Sequence, residues 1–135
     1  MKKLFLLPLM LTLISCEKEG EFTQTNNQII NLSTAVLLKS GQFTTTSGIT
    51  GSGSVKIYSE NNLYKLVLDN YTIENGPDLK VYLSTTDAPN TFVNLGNLNP
   101  ATVYTIPNSV DLNVYKYVLI HCQQYNHLFA IALPN

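Results

Sequence analysis

The sequence predicts an all-β domain, folded as a compact antiparallel β-sandwich or small barrel of about eight short strands. Tyr, Thr, Val, Ile, Leu and Asn are plentiful while Ala and Arg are scarce or absent, and this balance favours strands over helices. Short apolar or alternating runs are separated by Gly, Pro and Asn turn residues. No segment keeps an amphipathic helical period for three turns, so the sequence predicts no long helix.

The N-terminus predicts an exported lipoprotein. Lys2 and Lys3 precede an apolar run over residues 4–14, which fits a signal peptide at residues 1–15 and is shorter than the roughly 20 residues of a membrane span. Residues 13–16, Leu-Ile-Ser-Cys, resemble the lipobox of bacterial lipoproteins. In those proteins the cysteine, here Cys16, carries acyl chains such as palmitate, and two or more chains anchor a protein stably. The alternative is an ordinary secretory peptide that contains a cysteine.

Composition and the predicted anchor define the expected location and partners. The chain without residues 1–15 has six lysines, no arginine and nine carboxylates, a formal charge of −3. This charge excludes nucleic acid as an expected partner, because nucleic-acid binding requires a basic surface. We expect a cell-envelope protein, held at the outer membrane through Cys16 and facing the periplasm or the cell surface. Besides the membrane, we expect it to bind an unidentified protein or glycan.

Residues 16–34 show no sustained apolar period and are predicted to form a flexible tether. About 20 flexible residues have an end-to-end distance of roughly 25 Å. Glu17, Glu19 and Glu21 fit either a solvated tether or the acidic export tag of some surface-displayed lipoproteins.

Residues 35–135 contain the runs that predict the strands of the domain. These runs lie at residues 35–38, 42–46, 55–58, 64–68, 79–84, 92–93, 103–106, 114–121 and 128–133. Residues 39–41 and 60–62 are predicted turns. Residues 48–53, Gly-Ile-Thr-Gly-Ser-Gly, resemble a phosphate loop only superficially, because no Gly-Lys-Ser/Thr and no helix follow, and are predicted to connect a hairpin.

One run shows the strand period clearly. Leu79, Val81 and Leu83 are predicted to lie on one face of their strand, with Lys80 and Tyr82 on the other.

Several segments together resemble the DM13 domain, the electron-transfer DM family known from Skeletor-like extracellular proteins. The segments are Lys-Ser-Gly-Gln-Phe at 39–43, Leu-Val-Leu-Asp-Asn-Tyr at 66–71, Asn-Gly-Pro-Asp-Leu-Lys-Val-Tyr-Leu-Ser at 75–84, Leu-Gly-Asn-Leu at 95–98, Tyr-Thr-Ile-Pro at 104–107, Tyr-Lys-Tyr-Val-Leu-Ile-His-Cys at 115–122 and Phe-Ala-Ile-Ala-Leu at 129–133. The family commonly has an aromatic residue at the position of His121, and residues 123–127 are more polar than usual.

The resemblance implies a β-sandwich outside the cytoplasm. It also implies that Cys122 is redox active, as a bare thiol or as the ligand of a prosthetic group such as haem or a metal.

Cys122 is the central candidate residue, because acylation of Cys16 leaves it without an intramolecular partner. It is either a buried structural cysteine or an exposed reactive thiol, which would need a lowered pKa. His121 is adjacent, but strand alternation points it to the opposite face. His127 lies five residues after Cys122 and faintly resembles blue-copper spacing. That site needs a second histidine and usually a weak methionine ligand, which the mature chain lacks, so no metal site is predicted.

The preferred prediction for Gly76, Pro77 and Asp78 is a turn. Pro77 presets its own φ angle, and the side chain of Asp78 accepts hydrogen bonds from nearby backbone amides. Asp69 and Glu74 nearby raise the alternative of calcium, although the oxygen ligands have no regular spacing.

The remaining side chains favour binding over catalysis. The eight tyrosines fit either a partner-binding surface or a half-buried sheet with hydroxyls at its rim. No recognisable nucleophile–base pair is present. The sequence therefore predicts a non-enzymatic binding or interaction domain, and the alternative is a redox or electron-transfer module using Cys122.

Overall fold

The computed structural model describes residues 30–98 and 102–135. The predictions for the signal peptide, for Cys16 and for most of the tether lie outside the described residues. Within them the chain forms nine strands: β1 (Val36–Gln42), β2 (Thr44–Thr45), β3 (Ser54–Glu60), β4 (Leu63–Asp69), β5 (Leu79–Ser84), β6 (Phe92–Asn97), β7 (Val103–Ile106), β8 (Tyr117–Cys122) and β9 (His127–Ala132).

The strands form two antiparallel sheets that pack face to face. Sheet A has the order β1-β3-β4-β7, and sheet B has the order β2-β9-β8-β5-β6. The predicted all-β sandwich is confirmed, and the two sheets do not close into a barrel. Among the described residues, no helix has the length and apolar character needed to cross a bilayer.

The β3–β4 hairpin follows from its turn residues. Asn61 and Asn62 have φ angles of 51° and 62°, in the left-handed region. A two-residue turn with both central residues in this region matches the twist of the paired strands, and asparagine tolerates it. The predicted turn at residues 60–62 is therefore confirmed.

The core lies between the sheets and is built by alternation. On β5, Leu79, Val81 and Leu83 pack in the core, and Tyr82 lies on the outer face of sheet B, as predicted. The buried side chains of this core cluster are Phe43, Val55, Ile57, Leu66, Leu68, Ile73, Val81, Leu83, Leu95, Leu98, Tyr104, Ile106, Val110, Val118, Ile120, Cys122, Phe129, Ala130 and Ala132.

Residues 39–41 were predicted as a turn, and this prediction is wrong because they lie inside β1. The C-terminal residues run beside this part of the strand, with Ser40 and Asn135 exchanging backbone hydrogen bonds of 3.2 and 3.1 Å. A Cβ atom on Gly41 would lie 2.9 Å from Pro134 Cα. This glycine is therefore required for the close approach of two chain segments.

Residues 48–53 do not connect a hairpin, because they run from one sheet to the other. The preceding strand, β2, pairs with β9 in sheet B, whereas β3 pairs with β1 and β4 in sheet A. Gly51, with φ of 145°, lies against the backbone of Ile73, where a Cβ atom would collide with Ile73 Cα. The glycines of this segment allow close packing of loops, since only glycine leaves that space free.

The predicted strand at residues 114–121 begins later, at Tyr117. The backbone amides of Val114 and Tyr115 donate to the Asp111 carbonyl at 3.0 and 2.8 Å and form a turn instead.

Candidate functional site

Cys122 is a buried free thiol at the end of β8. Its side chain is 0% exposed and belongs to the core between the sheets. Its cross-strand partners are Leu79 on β5 and His127 on β9. Directly opposed residues of an antiparallel pair have neighbouring side chains, so the fold brings His127 next to Cys122. The imidazole of His127 is exposed and lies edge-on to the ring of Phe129, with 5.2 Å between ring centroids.

The Gly76-Pro77-Asp78 turn packs against this end of β8. The Gln123 amide donates to the Asp78 carbonyl at 3.0 Å. A Cβ atom on Gly76 would lie 3.0 Å from Leu79 Cδ2 and 3.1 Å from Phe129 Cζ. The turn thus closes over the residues that surround Cys122. Two segments that are far apart in the sequence meet at one end of the sandwich.

His121 faces away from Cys122, on the outer face of sheet B. Its Nε2 atom lies 3.1 Å from Asn126 Oδ1, and its ring lies 5.4 Å from the ring of Tyr82. The side chain is 4% exposed, and its Nδ1 atom has no hydrogen-bond partner within the described parts of the chain. Burial lowers the pKa of His121 below its usual 6.5, because the charged imidazolium would lose its hydration. The fold does not bring His121 and Cys122 together as a pair.

The carboxylates considered for calcium have separate partners. Asp69 pairs with Lys56 at 2.9 Å, and the hydrogen bond from Lys56 to Asp69 raises the pKa of that lysine. Glu74 Oε1 accepts from the Thr50 amide at 2.6 Å. Among residues 30–98 and 102–135, no group of three or more His, Cys, Asp or Glu side chains could hold a metal ion.

A prosthetic group at Cys122 does not fit the residues around it. Cys122 and His127 supply two neighbouring ligand atoms at most, and the thiol points into a packed apolar core. Metal-ion sites in proteins need three or four convergent ligands. Haem can be held by one thiolate, but it would need open space beside the sulfur, and the packed core around Cys122 offers none.

An open cleft of about 630 Å³ lies beside the Gly76-Pro77-Asp78 turn, and we call it the motif cleft. Asp78 and Lys80 form an ion pair of 3.0 Å at this cleft, and Lys80 also donates to Asn97. The lining residues are Leu68, Tyr71, Thr72, Ile73, Asn75, Gly76, Pro77, Asp78, Leu79, Lys80, Asn97, Leu98 and Thr102. The motif cleft therefore exposes polar and charged groups next to apolar side chains.

Tyr71 lines the motif cleft, and its hydroxyl oxygen is buried. It has no hydrogen-bond partner among the residues that the structure describes. Burial raises the pKa of Tyr71 to about 12, because the phenolate would be poorly solvated. Buried polar atoms are almost always hydrogen-bonded in folded proteins, so an unpaired one indicates an unfilled interaction.

Sequence reasoning did not select Tyr71, Lys80 or Asn97 as site residues. They come from three separate segments, and no spacing pattern connects them. All three do belong to segments that resemble the DM13 family, and this resemblance was the only sequence signal that could have indicated them.

The fold and these sites define an antiparallel two-sheet sandwich with one core thiol and an open polar cleft at the same end. The family Electron transfer DM13 matches residues 42–133, about two thirds of the chain. The chain belongs to this family, as the sequence resemblance predicted. Comparison with curated proteins and with solved structures gives no significant match.

Proposed function

We propose that this protein is a cell-envelope lipoprotein whose DM13 domain binds an extracytoplasmic protein or glycan through the motif cleft. One observation supports this function above the others. The Gly76-Pro77-Asp78 turn lines an open cleft with a buried, unpaired Tyr71 hydroxyl, whereas the Cys122 thiol is sealed in the core. Because this hydroxyl is buried in the free protein, a ligand must displace the groups that cover it, and a ligand that then bonds the hydroxyl would recover an interaction that the free protein lacks.

The substitution Tyr71→Phe tests the binding function, because it removes only the unpaired hydroxyl. We expect the fold to remain as stable as the wild type and binding to weaken about 2–10-fold, the usual value of one neutral hydrogen bond. Binding is measured on a glycan array, and by photo-crosslinking in cells from a probe at the exposed cleft residue Asn75. The matched control is Tyr58→Phe on β3, outside the cleft. A ligand bound equally by both variants would contradict the assignment of the cleft.

The anchor is tested by Cys16→Ala with radioactive palmitate. The wild type is expected to incorporate label and to sediment with membranes, since two or more acyl chains hold a protein stably. The variant is expected to lose the label and to appear in the soluble fraction. An unlabelled wild-type protein would contradict the lipoprotein proposal and leave the cleft proposal standing.

Redox activity of the bare Cys122 thiol is the second candidate. The description of the family as electron-transfer proteins favours it, and so does the contact between the Gly76-Pro77-Asp78 turn and the end of β8. In this candidate the turn opens and exposes the thiol. Thiol titration of native and unfolded protein, with an absorption spectrum and metal analysis of the same sample, separates the candidates. A native thiol that reacts quickly at neutral pH, or a chromophore or stoichiometric metal, would favour electron transfer over binding.

A further inference from the structure

A patch of exposed apolar side chains covers one corner of sheet A, and we call it the hairpin patch. The described residues include ten large hydrophobic side chains that are exposed, and six of them lie here. They are Leu32, Val36, Leu37, Leu38, Leu63 and Tyr64. Single exposed hydrophobic residues are normal on protein surfaces, whereas a cluster of this kind indicates an interaction surface.

Strand register brings these residues together. Val36 pairs with Ser59, and Ser59 pairs with Tyr64 on the next strand. Leu63 follows the Asn61-Asn62 turn directly. Because neighbouring strand residues alternate between faces, Leu37 and Leu63 point to the opposite face of sheet A from Val36 and Tyr64. The patch therefore surrounds the corner formed by the start of β1 and the β3–β4 hairpin, with apolar side chains on both faces of the sheet.

The chain enters the sandwich at this corner. The Asn31 amide donates to Glu60 Oε2 at 3.1 Å, and Lys65 lies 3.6 Å from the same carboxylate oxygen. Glu60 is 7% exposed, so this buried carboxylate fixes the first described residues against the hairpin. Leu32 follows Asn31 and adds its side chain to the patch, at 65% exposure.

The distance to the proposed anchor is short. Thirteen residues separate Cys16 from Ile30, the first described residue, and even a fully extended chain of this length keeps the two positions within about 50 Å of each other. A lipid on Cys16 would keep this corner of the domain closest to the bilayer. The side chains are aliphatic, with one tyrosine, and this composition suits the boundary between lipid headgroups and acyl chains.

We propose that the hairpin patch seats the domain on the lipid bilayer beside its own anchor. This proposal rests on the lipid anchoring at Cys16 proposed above. Seating by this corner would point the opposite end of the sandwich away from the membrane. That end carries the motif cleft, because β4 begins at the hairpin and runs toward its other end at Leu68, which lines the cleft.

The test uses the full lipidated chain in phosphatidylcholine vesicles that contain a nitroxide-labelled lipid. An environment-sensitive NBD fluorophore is attached at Leu37→Cys or Leu63→Cys, and at Tyr125→Cys as the matched control. Tyr125 is an exposed aromatic residue, 69% accessible, in the β8–β9 turn at the opposite end of the sandwich. The wild type is the labelling blank, since Cys122 is buried.

We expect a blue-shifted emission at positions 37 and 63, and lipid quenching at least about twofold stronger than at position 125, because docked apolar side chains enter the headgroup boundary. Equal quenching at the three positions in acylated protein would overturn the docking and leave the lipoprotein proposal intact. NBD emission that is blue-shifted but not quenched by the nitroxide lipid would also overturn the docking. The patch would then be covered by a second copy of the chain or by another segment of the same chain. Loss of acylation in the wild type would overturn the lipoprotein proposal, and the docking with it.

Discussion

Replacing Cys122 by serine tests the central structural claim, because it changes one buried atom from sulfur to oxygen. The side chain is 0% exposed, in a core of Val118, Ile120 and Leu79. Burial of a hydroxyl without a hydrogen-bond partner costs about 1–3 kcal/mol. We therefore expect Cys122→Ser to lower the free energy of unfolding by about 2 kcal/mol. For a domain of about 100 residues this lowers Tm by roughly 8–16 °C.

The assay is urea unfolding of residues 30–135, followed by far-UV circular dichroism. The control is Cys122→Ala, which removes the sulfur without adding a polar group and is expected to cost only about 1 kcal/mol. The slope of the free energy against urea should be the same in all three proteins, since each exposes the same surface on unfolding. A serine variant as stable as the alanine variant would show that the hydroxyl finds a partner or water, and would refute the sealed environment.

Thiol reactivity gives an independent measure of the same claim. A thiol that reacts only through an opening of about 3 kcal/mol is modified more than about 100-fold more slowly than in the unfolded chain. We expect at least this protection for Cys122 toward a disulfide reagent at pH 8. Native and unfolded rates within tenfold of each other would refute the burial and favour the redox candidate.

Two further predictions concern other parts of the fold. Gly51→Ala places a Cβ atom against the backbone of Ile73 at a φ of 145°, so we expect a loss of more than about 1 kcal/mol of stability, measured by urea unfolding; an unchanged midpoint would contradict the packing described. Burial lowers the pKa of His121, so the unfolded chain binds more protons below pH 6.5. Stability from this group should be complete above about pH 6.5 and fall as the pH decreases from there, as seen by unfolding at pH 5 and 7.5. His121→Gln should flatten the dependence of stability on pH in this range. A variant whose stability falls as steeply as that of the wild type would contradict the lowered pKa of His121.

The sequence by itself determined the class of fold and several of its elements. Alternation on β5 placed Leu79, Val81 and Leu83 in the core, because the side-chain period of a strand is fixed by its backbone. The Asn61-Asn62 turn was predictable for a similar local reason, since asparagine tolerates the positive φ that a tight hairpin requires. The same alternation separated His121 from Cys122.

The tertiary structure decided everything that depends on contacts between distant segments. Gly41 looked like a turn residue, but its role is to admit the backbone of Pro134, which is 93 positions later in the chain. The motif cleft combines Tyr71, Lys80 and Asn97 from three segments. The complete burial of Cys122 depends on which loop closes over the end of β8. Local periodicity carries no information about such long-range packing, so only the folded chain could settle these features.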